Sequence, residues 1–296
     1  MTWWCTILVT VVLISGHICQ DFGYDGDEGP DYWGNKFEKC VGKHQSPIDI
    51  DVHIVKKVVL PKLKFNFFNK PLNLVTLENN GHTVRLSIKD GPAPSIHGGP
   101  LNGTYLFNHL HFHWGDNDTL GSENMVNHNS FPLELHMLFF NSYYKSVEEA
   151  SKYSDGYVVL SFLYSTSNKP NKHYNIFETG LESIQQMNAT KELGNFPSLD
   201  KFTMTDRNVY FTYEGSLTTP PCSEIVTWIE FQNTIPISHD QIDAFRQLDG
   251  VNGKLRHNYR PTQSINDRII RMNSATTLQA TFLITLSSFV IFLLNC

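Results

Sequence analysis

Three histidines alternate with apolar residues in His109-Leu110-His111-Phe112-His113-Trp114, and no other stretch constrains the fold as tightly. On a β-strand, residues two apart share a face, so these three imidazoles project together. Downstream, Phe131-Pro132-Leu133-Glu134-Leu135-His136 predicts a second strand with Glu134 and His136 on one face. Two imidazoles from one strand and a third from its neighbour make three corners of a tetrahedron. With water in the open corner, that is the donor set of a catalytic zinc site. A lone strand histidine is ordinarily structural; three at one parity, with another beside a carboxylate, reverse that expectation. Spacing leaves open which two of His109, His111 and His113 bind the metal. Three neutral nitrogens without a thiolate suit zinc, whereas an iron site would use two histidines with Glu134 as carboxylate. Two residues from His136, Glu134 also suits a role behind the metal, accepting the imidazole N–H and fixing its tautomer.

The rest of the chain has the same β texture. Runs rich in Val, Ile, Phe, Tyr and Thr at 72–77, 83–88, 105–114, 133–140, 157–164, 208–213 and 225–231 predict strands. Helices are predicted over 146–153 and 176–187, and Ser238-His239-Asp240-Gln241 reads as the capped start of a helix through 247. With no internal repeat, low-complexity tract or long linker, the reading is a single, mostly β (α+β) domain with short helices. A hydrophobic content of 41% excludes a disordered chain. A net charge of −6 argues against a nucleic-acid partner, which calls for a basic patch.

Both ends read as processing segments. Residues 1–19 carry no charge and contain an apolar run over 5–14, the core of a secretory signal peptide. That run is too short for a membrane span, which needs ~20 apolar residues. Residues 278–294 are almost wholly apolar, preceded by Asn273, Ser274 and Ala275, a pattern expected of a glycolipid (GPI) attachment signal over 274–296. Ser274 is the expected attachment residue, with Asn273 the alternative. The competing reading, a transmembrane helix, lacks basic residues on its far side. Removing both ends leaves 20–273 as the domain and takes Cys5, Cys19 and Cys296 from the five cysteines. Cys40 and Cys222 remain, an even count in an oxidising compartment, and are expected to pair. Asn102, Asn117 and Asn188 begin N-glycosylation sequons.

The motifs Leu110-His111-Phe112-His113-Trp114-Gly115, Gly121-Ser122-Glu123 and Glu134-Leu135-His136 resemble the α-carbonic anhydrase family. So do Gln45-Ser46-Pro47-Ile48-Asp49-Ile50, Asn79-Asn80-Gly81-His82, Ser216-Leu217-Thr218-Thr219-Pro220-Pro221, Val226-Thr227-Trp228 and Asn258-Tyr259-Arg260-Pro261. The matches keep family order over residues 22–271. The resemblance implies a large, twisted, predominantly antiparallel central sheet with peripheral helices. It assigns His111, His113 and His136 as Zn2+ ligands, with His109, Glu134 and Asn258 as their hydrogen-bond partners. His109 stands where the family usually has Gln, and Asn124 where many active members have His in the network around Glu123.

The activity implied is reversible hydration of carbon dioxide to bicarbonate and a proton, by attack of zinc-bound hydroxide. Leu138, Val159, Leu217, Val226 and Trp228 would form an apolar wall for the gas, with Thr219 lining the same pocket. Thr218 would orient the nucleophile by donating to Glu123. His82 takes the proton-shuttle position, with Tyr24 and Asn80 ordering the waters that lead to it. Ser46-Pro47 and Pro220-Pro221 match the family's cis prolyl bonds, and extracellular members carry a cysteine pair like Cys40 and Cys222. The whole reads as a monomeric zinc lyase, GPI-anchored at the outer face of the plasma membrane. The alternative is a catalytically weak surface binding or receptor protein on the same fold.

Overall fold

The structure, a computed structural model, describes residues 22–204 and 206–273. The leader expected at 1–19, the tail at 274–296, and with them Cys5, Cys19, Cys296 and Ser274, lie outside the described residues. In chain order the strands are β1 (Asp49–Ile50), β2 (Lys56–Val58), β3 (Lys64–Asn66), β4 (Leu72–Asn79), β5 (Val84–Asp90), β6 (Ser95–His97), β7 (Tyr105–Trp114) and β8 (Met125–Val126). They continue with β9 (Leu133–Asn141), β10 (Tyr157–Ser167), β11 (Thr190–Phe196), β12 (Tyr210–Gly215), β13 (Val226–Ser238), β14 (Asp249–Gly250), β15 (Gly253–Lys254) and β16 (Arg271–Asn273). The α-helices are α1 (Trp33–Lys36), α2 (Val147–Ala150), α3 (Asn175–Ser183) and α4 (His239–Arg246).

One large sheet runs β11-β4-β5-β7-β9-β10-β13-β12-β16-β2, with β3 joined to β6 and β6 to β7. Its pairings are antiparallel except β10–β13 and β16–β2. The sheet is therefore the predominantly antiparallel one expected, with short helices at its periphery. One face of its centre carries Leu110, Phe112, Met137, Leu160 and Phe231 into the main core. There α3 and α4 cover it, Phe177 and Phe245 meeting the Phe112 ring at 5.1 and 4.9 Å between centroids. Burying such a ring contributes about 1.5–3 kcal/mol. The opposite face carries the histidines.

A bulge keeps those two faces distinct. Phe107 and His109 differ by two, yet Phe107 packs in the core while His109 turns to the other face. The β7–β9 register shifts between them, and the extra residue, Asn108, resets the parity.

Several element bounds move for physical reasons. The predicted 176–187 helix ends at Ser183, because Ile184 leaves the helical region at φ −123°, and Asn188 at a left-handed φ of 66° turns the chain toward β11. Over 146–153 only α2 forms, capped by Ser146 accepting from Glu149 N–H. At α4 the Ser238–Gln241 capping box is present and the helix runs to Arg246. β13 extends beyond 231 through Pro236, where β10 is its one sheet neighbour because β12 has ended; a missing N–H is tolerated at such an edge. Cys40 and Cys222 form the expected disulfide across 182 residues, and both Ser46-Pro47 and Pro220-Pro221 are cis.

Candidate metal centre

Sheet register assembles the site. His111 on β7 stands directly opposite His136 on β9, and His113 stands opposite Glu134. One potential ligand atom from each of His111, His113 and His136 lies within 4.8 Å of the others. A single ion with bonds of about 2.0–2.1 Å spans such a triad.

The hydrogen bonds behind the rings fix which nitrogens face inward. His113 Nδ1 donates to Asn258 O at 2.8 Å, and His136 Nε2 donates to Glu134 Oε1 at 2.6 Å. That leaves His113 Nε2 and His136 Nδ1 for a metal. His113 Nε2 is buried without a hydrogen-bond partner, an orphan that a metal ion would satisfy. Burial and His136 push His113 down to about 3 against the upward pull of Asn258 O and Glu134, and burial and the neighbouring imidazoles hold His111 well below its ordinary value. Both rings are neutral, as metal ligands must be.

Glu134 is buried, which by itself would raise its pKa, but His136, Ser161 and Asn124 hold it down to about 2. It also accepts from the backbone N–H groups of Glu123 and Asn124 at 2.7 and 2.9 Å. These bonds hold it behind His136, outside the cluster of metal-facing nitrogens, so the carboxylate an iron site would need is engaged elsewhere. Asn124, expected in the network around Glu123, joins the one around Glu134 instead. Its Nδ2 donates to Glu134 at 2.8 Å and its Oδ1 accepts from Tyr213. Asn258 ties the centre down from the other side, its Oδ1 accepting from Trp114 N–H and its Nδ2 donating to His82 O and Phe112 O.

His109 departs from the expected arrangement. Its Nδ1 pairs with Asn108 Oδ1 at 2.6 Å, and His111 Nδ1 has no partner. The bulge residue beside it takes that nitrogen, and His109 makes no hydrogen bond to the first ligand. Burial, with Arg85 and His136 adding to it, pushes His109 down to about 3, so it too is neutral.

Thr218 sits in the loop between β12 and β13, against Glu123. Burial and the Glu134 charge push Glu123 well above the carboxylate range; the Thr218 hydroxyl and Arg260 N–H, donating at 2.9 Å, pull it back. A dication at the three nitrogens would supply the positive charge that this pair of buried carboxyls calls for.

Leu138, Val159, Leu217, Thr218, Thr219 and Trp228 line a cavity of about 240 Å³ beside His111 and His136. Val226 is buried behind it and does not line it; Asn108, Val147 and Tyr157, absent from the sequence reading, do. A second cavity of about 200 Å³ adjoins, lined by Tyr24, Asn80, His82, His113 and Thr219. Asn80 Oδ1 accepts from His82 and Thr83 N–H, shaping the β4–β5 turn. The His82 ring stacks on Phe22, centroids 4.0 Å apart, a partner the sequence reading missed. Tyr24 Oη is buried, with no hydrogen bond among the described residues, and burial raises its pKa. Asn102, Asn117 and Asn188 are exposed.

Glu230 was also missed, although an acid within Trp228-Ile229-Glu230-Phe231 interrupts an apolar run. It stands in register with Ser161 and is fully buried; the Ser161 hydroxyl is spent on Glu134, and neither Glu230 carboxyl oxygen has a hydrogen-bond partner among the described residues. Burial and the Glu134 charge raise its pKa well above 4.5. The native state therefore keeps a proton that the unfolded chain loses near 4.5, and stability falls as pH climbs above that value. Glu230→Met is expected to stabilise the fold at pH 7 by about 1–3 kcal/mol. The gain should shrink below pH 4.5, where both states hold the proton, as thermal melts across pH would show. A gain that does not vary with pH would contradict the buried-proton account.

The sequence model of the eukaryotic-type carbonic anhydrases matches residues 28–274. Carbonic anhydrase 7 of Mus musculus is 33% identical over 266 residues, covering 87% of this chain and 98% of that protein. Carbonic anhydrase 15 of Mus musculus is 32% identical over 269 residues, 86% of this chain and 83% of its own. Carbonic anhydrase 3 of Homo sapiens is 31% identical over 261 residues, 86% of this chain and 98% of its own. With the histidine triad, the cis prolines and the central sheet all in place, the chain belongs to the eukaryotic-type carbonic anhydrase family.

Proposed function

We propose that the chain is a zinc-dependent carbonic anhydrase that reversibly hydrates carbon dioxide to bicarbonate and a proton. The observation that carries this reading is the triad His111, His113 and His136, neutral donors with two of the rings oriented from behind by Asn258 and Glu134. Zinc held there would supply a nucleophile from water near neutral pH, a rule for which carbonic anhydrase is itself the standard case.

The chain's own residues do the rest. Leu138, Val159, Leu217 and Trp228 offer an apolar wall suited to an uncharged, apolar gas. Thr218, donating to Glu123, keeps its oxygen lone pairs as acceptors toward the cleft and so orients the attacking group. His82 takes the proton outward, held by its stack on Phe22, with Tyr24, Asn80 and Thr219 along the connecting cavity.

The outer face of the plasma membrane is the proposed location, with a leader at 1–19 and glycolipid attachment at Ser274. Supporting this are the Cys40–Cys222 disulfide and the exposure of Asn102, Asn117 and Asn188. Asn273, the alternative attachment residue, is tied into β16, accepting from Leu60 N–H and donating to Asn208 O.

One experiment on intact cells expressing the full chain tests both parts. Carbon dioxide hydration is expected outside the cell, blocked by a membrane-impermeant aromatic sulfonamide and released into the medium by a phosphatidylinositol-specific phospholipase. Absence of sulfonamide-sensitive hydration would overturn the enzymatic reading. Activity that resists the phospholipase would overturn the anchor alone.

A further inference from the structure

The cleft wall facing away from the apolar pocket carries a group that neither the metal centre nor the proton path uses. Arg85 stands on β5 in register with His111 of β7, so both project from the same sheet face. It lines the 200 Å³ cavity together with His82, His109, His111 and Thr219, and no acidic residue lines that cavity. Its Nε is buried without a hydrogen-bond partner. Glu78 faces it in register from β4, yet no ion pair joins the two.

A guanidinium stays charged at any working pH and presents five donors in a rigid fork. Left without an anion in a partly desolvated wall, it carries a free-energy cost that a bound anion would relieve. Its neighbours offer no competition. His109 pairs with Asn108 Oδ1 and His111 belongs to the metal triad, so neither imidazole occupies the guanidinium. The polar wall beside the metal ligands therefore holds a fixed positive charge with no counter-charge lining the same space.

We propose that Arg85 forms an oxyanion subsite in the cleft, binding a small monoanion of the carboxylate class, bicarbonate included, through paired N–H···O bonds beside His111. The subsite rests on the zinc hydratase reading and deepens it. One wall takes the neutral gas against Leu138 and Trp228; the other holds the anionic form on Arg85.

The test uses a fluorescent aromatic sulfonamide as probe of the cleft and acetate as the competing anion, on purified zinc-loaded protein at constant ionic strength. Arg85→Gln is expected to raise the acetate concentration for half-displacement about tenfold, the loss of a charge-assisted bidentate contact. Arg85→Lys, keeping the charge without the fork, is expected to lose less. Zinc content and circular dichroism match wild type in both variants, which shows that the cleft is intact, and each half-displacement is corrected for that variant's own probe Kd. Equal displacement from wild type and Arg85→Gln, or no displacement from wild type, would overturn the subsite alone. A wild-type protein that does not bind the probe would overturn the zinc reading, and the subsite with it.

Discussion

His113→Ala is expected to strip the metal from the protein and lower carbon dioxide hydration by at least about 10³-fold, leaving little above the uncatalysed rate. His113 is 1% exposed, hydrogen-bonded behind to Asn258 O, and its inward nitrogen makes no hydrogen bond, with Glu123 Oε2 3.3 Å away. Alanine leaves two donors where zinc needs three protein ligands, and leaves Glu123 and Glu134 buried without a cation between them. Metal analysis after dialysis and stopped-flow hydration would measure both losses. His109→Ala is the matched contrast. Its ring bonds Asn108 and makes no hydrogen bond to a ligand, so zinc is expected to stay and the rate to fall by less than about tenfold, below the usual cost of losing a residue that braces a metal ligand. If the two alanine variants lost zinc alike, the assignment of ligands would fail.

Thr218→Ala carries the second-largest expected effect, a fall of about 10²-fold in kcat/KM with zinc still bound. The hydroxyl does two things at once. It donates to Glu123, steadying a carboxyl that burial and Glu134 push upward, and it presents its lone pairs to the cleft. Thr218→Ser keeps the hydroxyl and is expected to retain most of the activity. Stopped-flow rates of the pair separate orientation from packing, since serine and alanine both remove the methyl group. If serine and alanine were equally slow, Thr218 would be a packing residue and the orienting role would be lost.

What could be read from the sequence was whatever repeats at short range. The β-rich run over 105–114 marked β7, the alternation of His109, His111 and His113 marked its metal face, and the Ser238–Gln241 box marked the start of α4. The short strands β2, β3, β6 and β16 and the polar edge strand β11 carried no such signal. Apart from Ser95 and Ile96 of β6, their residues are largely exposed or half-buried, and pairing with neighbouring strands defines them. The same limit held within the site. Glu134 beside His136 is a local pattern, whereas Arg85 opposite His111, Ser161 opposite Glu230 and Phe22 under His82 are meetings across the fold. The His109 partner turned on a bulge at Asn108, a one-residue change of register that alternation alone does not disclose.

The central claim is that this triad holds a zinc ion that makes the chain a hydratase. It is tested most directly by metal content and stopped-flow carbon dioxide hydration on the same purified protein, before zinc removal, after it, and after zinc is restored. The account predicts one zinc per chain, loss of hydration on chelation, and its return with zinc. One zinc per chain without hydratase activity would contradict it, and so would hydration that survives the loss of the metal.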